Sequence, residues 1–115
     1  MTQTVESLTG FQRDLLYVIA GLDKPAGRTV KKELEQRIGE ITHGRLYPNL
    51  DTLVDAGFVR KGRHDRRTNF YQLTESGRQA LQEREQWEAK YLSASEGKEV
   101  PQVDTERSNG EKSSA

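Results

Sequence analysis

Apolar residues recur every three or four positions through the first half of the chain, which is the spacing of one helix face. The first such stretch begins at Thr9, and Gln12 three residues later completes a capping-box pattern that satisfies two backbone amides. The apolar face of this predicted helix consists of Phe11, Leu15, Val18, Ile19 and Leu22. The Lys-Pro-Ala-Gly segment at 24–27 then breaks the helical pattern.

Two more helical patterns follow this break. The second predicted helix has Thr29 as its cap and ends at Gly39, since glycine readily takes the left-handed conformation found after helices. Its apolar residues are Val30, Leu34 and Ile38. The third predicted helix is capped by Thr42 and ends at Gly57. Its buried positions are Leu46, Leu50, Leu53 and Val54.

Pro48 lies inside the third predicted helix. A proline there removes an amide donor and crowds the carbonyl of Gly44, at a cost of about 3 kcal/mol. We therefore expect a kink or a loosened first turn in this helix.

The pattern changes after Gly57 to two short runs of β-prone residues, at 58–61 and 69–73. The segment 62–68 between them predicts a hairpin with a basic tip. Within and just before this segment there are five basic residues and one acidic residue, Asp65. These are Arg60, Lys61, Arg63, Arg66 and Arg67. Such a run is often an ordinary solvated turn, but a turn does not require arginine, whose planar fork suits phosphates or the minor groove.

A last helix is predicted to begin after Thr74, which can cap it. One stripe of this helix has steps of three and four residues, the spacing of a seam between two helices. It consists of Gly77, Ala80, Arg84, Trp87, Tyr91 and Ala94. We interpret the seam as a dimer interface. Packing on the first helix and lining an effector pocket remain alternatives, and in a dimer Arg84 is expected to pair with Glu83, Glu85 or Glu88 of the partner subunit.

Composition narrows the class of protein. The 115 residues and an apolar fraction of 32% allow one domain with a small core. With no cysteine and two histidines, the chain has neither disulfides nor the usual metal-ligand clusters, and no cofactor is predicted. No apolar run approaches the ~20 residues of a membrane span, and the start of the chain does not resemble a signal peptide, so we expect a cytoplasmic protein.

The formal net charge is +0, but the charge is unevenly distributed. Residues 93–115 contain five acidic and three basic side chains and almost nothing apolar, which predicts a disordered tail. The rest of the chain is therefore slightly basic, with its positive charge concentrated in the predicted hairpin. A local field of this kind attracts a phosphate backbone more effectively than net charge suggests.

Together the elements predict a mainly α fold with a small β-hairpin: a winged helix-turn-helix followed by one C-terminal dimerisation helix. The predicted parts are an arm at 1–7, the winged helix at 8–74, the dimerisation helix at 75–94 and a polar tail at 95–115. In this fold the third helix enters the major groove of DNA with its first turns.

The candidate DNA contacts lie on the second and third helices and in the wing. They are Lys31, Lys32, Thr42, His43, Gly44, Arg45, Tyr47, Asn49, Arg63, Arg66 and Arg67. Gly44 allows backbone to approach DNA closely, Arg45 can fork onto guanine, and Asn49 can bond adenine. The alternative is that Gly44 and Pro48 only bend a core helix whose polar residues are solvated.

Catalysis has little support in the sequence. There is no glycine-rich phosphate loop, no metal-ligand spacing and no nucleophile placed to work with His43 or His64. We therefore predict that the chain is not an enzyme and has no catalytic or metal-binding residues.

Three stretches resemble the PadR-like winged-helix transcriptional regulators, particularly archaeal members. They lie at 44–53, 56–59 and 71–77, and include the Tyr-Pro pair at 47–48 and the Leu-Thr-Glu-Ser-Gly run at 73–77. The resemblance implies a homodimer joined through the C-terminal helix that acts as a repressor on a near-palindromic operator. It also implies that Tyr47 touches the DNA backbone and that 63–67 lie in the wing. It carries over no particular effector, and the long polar tail and neutral charge depart from the family pattern.

The sequence thus predicts a homodimeric, sequence-specific regulator that binds double-stranded DNA. Two alternatives stay open: a winged-helix module for protein interaction, and a sequence-independent, chromatin-like DNA binder. Salt-dependent binding to duplex DNA separates the first alternative from the prediction, and preference for a palindrome over random duplex separates the second.

Overall fold

The computed structural model describes residues 4–103 and confirms the predicted fold class, four helices with one hairpin. A short 3-10 helix at Val5–Ser7 precedes the main elements. In chain order these are α1 (Gly10–Gly21), α2 (Gly27–Ile38), α3 (His43–Asp55), β1 (Val59–Arg63), β2 (Asn69–Leu73) and α4 (Glu75–Ser95). The helices α1 to α3 form the three-helix unit, and the hairpin β1–β2 forms the wing.

Threonine caps set the starts of three helices, as the sequence predicts. The Thr9 side chain accepts a bond from the Gln12 amide while the Gln12 side chain accepts one from the Thr9 amide, which completes the capping box of α1. Thr42 and Thr74 cap α3 and α4 in the same way through their hydroxyls. Each cap satisfies an amide that the helix itself leaves unpaired.

The start of α2 differs from the prediction. The helix begins at Gly27, two residues before the predicted cap Thr29, and its N-cap Ala26 makes no side-chain cap bond. The reason lies in the preceding segment, where the Pro25 carbonyl accepts a bond from the Tyr71 amide and Ala26 forms a β-bridge with Phe70. Because the wing holds 25–26 in an extended conformation, the chain turns into α2 directly after it.

Pro48 lies inside α3, which runs as helix from His43 to Asp55. The kink or loosened first turn expected there stays a prediction. The neighbouring carbonyl of Arg45 accepts a second donor, the side-chain amide of Asn49, at 2.7 Å. One turn later the Thr52 hydroxyl donates to the Pro48 carbonyl. These side-chain bonds supply partners to carbonyls around the proline.

The core lies between α1, α3 and the hairpin. Its completely enclosed side chains include Leu15, Leu16, Val30, Leu46, Leu50 and Leu53. Leu16 was missing from the predicted apolar face of α1, of which Phe11, Leu15, Val18 and Ile19 pack into or against this core. Leu22 is half-buried, and Ile38 at the end of α2 is exposed. A core this small leaves the end of α4 without cover.

The two strands pair antiparallel, with Lys61 opposite Tyr71 and Gly62 opposite Phe70. Strand β1 spans Val59–Arg63, so it lies closer to the hairpin tip than the predicted run at 58–61. Gly62 is required here, because a Cβ at this position would lie 2.3 Å from the Phe70 ring. The ring covers the glycine and closes this side of the wing.

The two ends of the described chain fall in the predicted arm and the predicted tail. Val5 is buried in the core and the 3-10 helix contacts α4, so residues 4–7 of the predicted arm pack against the domain. Residues 96–103 follow α4 without further helix or strand, and the remainder of the predicted disordered tail lies outside the described residues. No helix within 4–103 is long and apolar enough to cross a membrane.

Candidate nucleic-acid interface

The start of α3 presents an exposed polar surface formed by His43, Gly44 and Arg45. Thr42 is exposed as well, but its hydroxyl accepts from the Arg45 amide and so serves the helix cap. A Cβ at Gly44 would meet nothing within 4 Å, so packing inside the protein does not require glycine there. The open space over Gly44 leaves the backbone of the helix accessible to a large external partner.

Arg45 lies over the ring of Phe11 in α1, with its guanidinium carbon 3.8 Å from the ring centroid. Arginine stacks on aromatic rings through its planar, cationic face and keeps its edge donors free. The ring therefore holds the guanidinium at the exposed start of the helix, where its N–H groups remain available.

Asn49 is less free than the sequence suggests. Its side-chain oxygen accepts a bond from the Gln12 side chain at 2.8 Å, and its side-chain nitrogen donates to the Arg45 carbonyl. The residue thus joins α3 to the capping box of α1. To bond adenine as predicted, it would have to give up or share these internal bonds.

The wing tip is organised by one carboxylate. Oδ1 of Asp65 accepts bonds from the amides of Arg67 and Thr68, both at 2.9 Å. These backbone bonds, the Arg67 amide first, lower the pKa of Asp65 below its ordinary value. The Arg63 guanidinium donates to the Arg66 carbonyl at 2.6 Å. The turn thereby projects Arg66 and Arg67 as exposed side chains.

The base of the wing is attached to the segment before α2. The His64 ring lies 4.9 Å from the Phe70 ring and its Nε2 is 3.1 Å from the Lys24 carbonyl oxygen. The Lys24 ammonium and the Arg60 guanidinium lie over the Phe70 ring, at 5.4 and 5.3 Å from its centroid. The exposed His64 ring therefore contacts Phe70 of the wing and the segment before α2.

A cavity of about 360 Å³ opens between the starts of α2 and α3 and the wing. It brings together three predicted contacts, His43, Tyr47 and Arg67. The other residues lining it were not predicted as contacts; they are Ala26, Gly27, Arg28, Thr68, Asn69 and Tyr71. An arginine directly after a helix-breaking glycine was the available signal, and the error in the start of α2 concealed it.

The two lysines predicted on α2 have different surroundings. Lys31 forms an ion pair of 3.2 Å with Glu35, whose carboxylate also accepts a bond from the Ile41 amide. The Ile41 amide first, and then Lys31, lower the pKa of Glu35. Lys31 thus supports the turn before α3, whereas Lys32 is simply exposed.

The predicted seam on α4 requires a correction, because its two halves are in different environments. Gly77 and Ala80 are buried against the rest of this chain, and a Cβ at Gly77 would lie 2.3 Å from the Phe58 carbonyl oxygen. These two positions therefore belong to the internal packing of the domain and are not available to a partner. Their small size lets α4 approach Phe58 and Leu73 closely.

Beyond this buried part, α4 exposes aromatic surface. Trp87 is 52% exposed and Tyr91 55% exposed, and their rings pack edge to face 5.3 Å apart. Arg84, also in the seam, pairs within its own chain with Glu88 at 3.0 Å and Glu6 at 4.0 Å, in contrast to the predicted pairing with a partner. The remaining seam residue, Ala94, is exposed.

This arrangement defines a winged-helix protein of the DNA-binding class, because a polar helix start and a basic wing line one cavity. Within residues 4–103 there is no cluster of side chains suited to hold a metal ion. Comparison with known proteins identifies the family. The Transcriptional regulator PadR-like family matches residues 15–83, and the chain belongs to this family of DNA-binding transcriptional regulators.

Solved structures give the same answer. The chain is 44% identical to RosR of Halobacterium salinarum in a complex structure, with a TM-score of 0.71 over 75% of this chain and 77% of RosR. A RosR structure from crystals grown from NaBr gives 44% identity and a TM-score of 0.70, over 74% of this chain and 77% of that one. A Streptococcus mutans protein, 19% identical, shares the fold with a TM-score of 0.59, over 81% and 91% of the two chains. No curated protein matches the chain. The similarity to RosR confirms the archaeal type predicted from the sequence.

Proposed function

We propose that this regulator binds a near-palindromic operator as a homodimer and represses transcription from it. The observation that carries the proposal is the joint position of the exposed α3 start and the basic wing tip on either side of one cavity. In winged-helix proteins the first of these surfaces reads base edges and the second holds the phosphate backbone. The family and the similarity to RosR support the same assignment.

The roles of individual residues follow from their positions. Arg45, held over Phe11 at the helix start, is the candidate for base reading, since arginine forks onto guanine. His43 and Tyr47 border the cavity next to it, and Gly44 lets DNA approach. Arg66 and Arg67 at the wing tip bind phosphates or the minor groove.

The exposed end of α4 supports the homodimer. The aromatic pair Trp87 and Tyr91 is followed by Leu92, which is also exposed, so this helix carries apolar surface that its own domain does not cover. Exposed apolar patches of this kind mark interaction surfaces. A two-fold axis along α4 would place the same side chains of both subunits together and set the spacing of two half-sites.

A direct test measures duplex binding of the full chain by fluorescence anisotropy across salt concentrations. The probes are the intergenic DNA beside its own gene, a palindrome found there by footprinting, and a scrambled duplex of the same composition. We expect tight binding to the palindrome, weaker binding to the scrambled duplex, and a steep loss of affinity with salt. Equal affinity for both duplexes indicates a sequence-independent binder, and no duplex binding indicates a protein-interaction module.

Repression is tested separately by transcription in vitro from a template that carries the footprinted site. We expect the transcript to fall as the protein saturates the site, because a bound dimer excludes the transcription machinery. A transcript that rises on saturation would identify an activator and would leave the DNA-binding assignment intact.

A further inference from the structure

The cavity between α2, α3 and the wing begins at an uncapped helix start. The N-cap residue of this 12-residue helix, Ala26, makes no side-chain cap bond. The Thr29 and Val30 amides donate to the Ala26 carbonyl, which leaves the Gly27 and Arg28 amides for an external acceptor. Helix starts carry partial positive charge and present N–H groups that favour anions. Arg28 and Arg67 line the same cavity, so the surrounding charge favours an anion as well.

A buried hydroxyl supplies independent evidence for a ligand. Tyr71 is 2% exposed and lines the cavity, and among side-chain hydrogen bonds of residues 4–103 its hydroxyl has none. Burial raises the pKa of the Tyr71 hydroxyl, and the neighbouring Asp51 and Tyr47 raise this pKa further. The hydroxyl therefore keeps its proton and can act as a donor. A buried donor without an acceptor is unfavourable, and a ligand oxygen would remove that cost.

Gly27 places a second hydroxyl beside the first. A Cβ on Gly27 would lie 2.8 Å from the Tyr47 ring and 3.0 Å from its hydroxyl oxygen, so a larger residue would displace the Tyr47 ring from its place against the helix start. The nearby carboxylate of Asp51 is 3.9 Å from the Lys61 ammonium, which offsets its charge. Two tyrosines and the first two residues of α2 thus line one region, which Arg67 also borders.

We propose that this cavity is a preformed site for a single phosphate oxyanion, and that in the DNA complex its ligand is one backbone phosphate between the recognition helix and the wing. The inference rests on the proposed function, because it assigns a contact within the same interface. Its donors are the Tyr71 and Tyr47 hydroxyls and the first amides of α2, with Arg28 and Arg67 at the rim. A phosphate held from three sides sets the register of α3 in the groove, since backbone contacts position a protein on DNA.

The first experiment replaces the operator phosphates one at a time by neutral methylphosphonates. We expect one position per half-site to weaken wild-type binding markedly. Tyr71→Phe, which removes only the hydroxyl, should bind unmodified DNA about ten-fold or more weakly, as for a lost bond to a charged group. The same methylphosphonate should then cost the variant less than it costs the wild type. Tyr17→Phe, in α1 and outside the residues that line the cavity, is the matched control and should behave as wild type.

The second experiment titrates the full chain with inorganic phosphate at constant ionic strength and follows the Gly27 and Arg28 amides by NMR. We expect these amides to shift in the wild type and to shift less in Tyr71→Phe and in Gly27→Ala, which displaces Tyr47. Amide shifts without coupling to any DNA phosphate would overturn the DNA assignment in favour of a free anion. Neither shifts nor coupling would overturn the site altogether. If the wild type bound no duplex, the proposed function would fail, and the phosphate titration would still decide whether the anion site exists.

Discussion

Helices α3 and α4 each have a buried half and an exposed half, but the order and the chemistry are opposite. In α3 the start is exposed and polar, and the buried leucines follow from Leu46 onward. In α4 the buried residues Gly77, Ala80 and Leu81 come first, and the exposed part carries Trp87 and Tyr91. Both helices therefore leave the domain with one unpaired surface each.

Exposure alone does not identify the partner of a surface, whereas the chemistry of the exposed side chains does. The α3 start offers an arginine, a histidine and an open glycine, which suit phosphates and base edges. The α4 end offers aromatic rings, which gain most from burial against another apolar surface. One helix is suited to nucleic acid and the other to protein.

The largest expected effect comes from removing the ring of Trp87. In Trp87→Ala each subunit of the proposed dimer loses the burial of a large ring, at about 3 to 5 kcal/mol per site if the ring is well buried in the interface. Sedimentation across a range of concentrations should show a dimeric wild type and a largely monomeric variant. Val100→Ala, which changes an exposed apolar residue beyond α4, is the control. A monomeric wild type would contradict the assignment.

A pair of glycines tests the two helix starts directly. Gly77→Ala should lower the free energy of unfolding by about 1 to 3 kcal/mol, because its Cβ would press on the Phe58 carbonyl and on Leu73. Gly44→Ala meets open space and should keep or raise stability, since alanine favours helix, yet it should weaken DNA binding. Urea unfolding at equal protein concentration measures the first effect and anisotropy the second. Equal loss of stability in both variants would refute the distinction.

Base reading is tested at Arg45. Arg45→Ala should relax base preference at one position per half-site, at a cost of about 1 to 3 kcal/mol. Selection from a random duplex library measures the preference of wild type and variant. Arg37→Ala, an exposed arginine in the last turn of α2, should leave the preference unchanged. An unaltered motif of the same strength in Arg45→Ala would show that this arginine does not read bases.

The wing should act without regard to sequence. Changing Arg66 and Arg67 to alanine should weaken binding to all duplexes by similar factors, because phosphates are the same in every sequence. Each lost phosphate contact should reduce the slope of log affinity against log salt by about 0.9. If anisotropy at several salt concentrations gives an unchanged slope, these arginines lie outside the interface.

The smallest expected effect is a pH dependence of the wing tip. Because amide bonds lower the pKa of Asp65, the ionised carboxylate stabilises the wing tip. This stabilisation is fully present above the ordinary aspartate pKa and is lost as the pH falls through the lowered pKa. The Arg67 and Thr68 amide signals in an NMR titration should report this loss. Asp65→Asn keeps an acceptor oxygen and should abolish the dependence. Titration of those amides in the Asn variant at the same pH would assign the effect to another group.

Much of the site was predictable because local features carry it. The polar start of α3 follows a threonine cap, and the basic tip follows a β-prone run, so both appear in a single sequence. The cavity was not predictable, because Tyr71 reads as an ordinary strand residue. The internal bonds of Asn49 were equally hidden, since Gln12 lies 37 positions away in the chain.

The sequence by itself determined the elements, because capping and apolar spacing act over a few residues. The caps Thr9, Thr42 and Thr74 and the stop at Gly39 all stand where local chemistry predicts them. Tertiary structure alone decided the rest.

Pairing of 25–26 with the wing moved the start of α2. Close packing on Phe58 and Leu73 turned Gly77 from a seam residue into a core contact. The pairing of 25–26 with the wing also brought Tyr71 next to the start of α2, where both line the cavity. Such contacts join residues far apart in the chain, and no local periodicity encodes them.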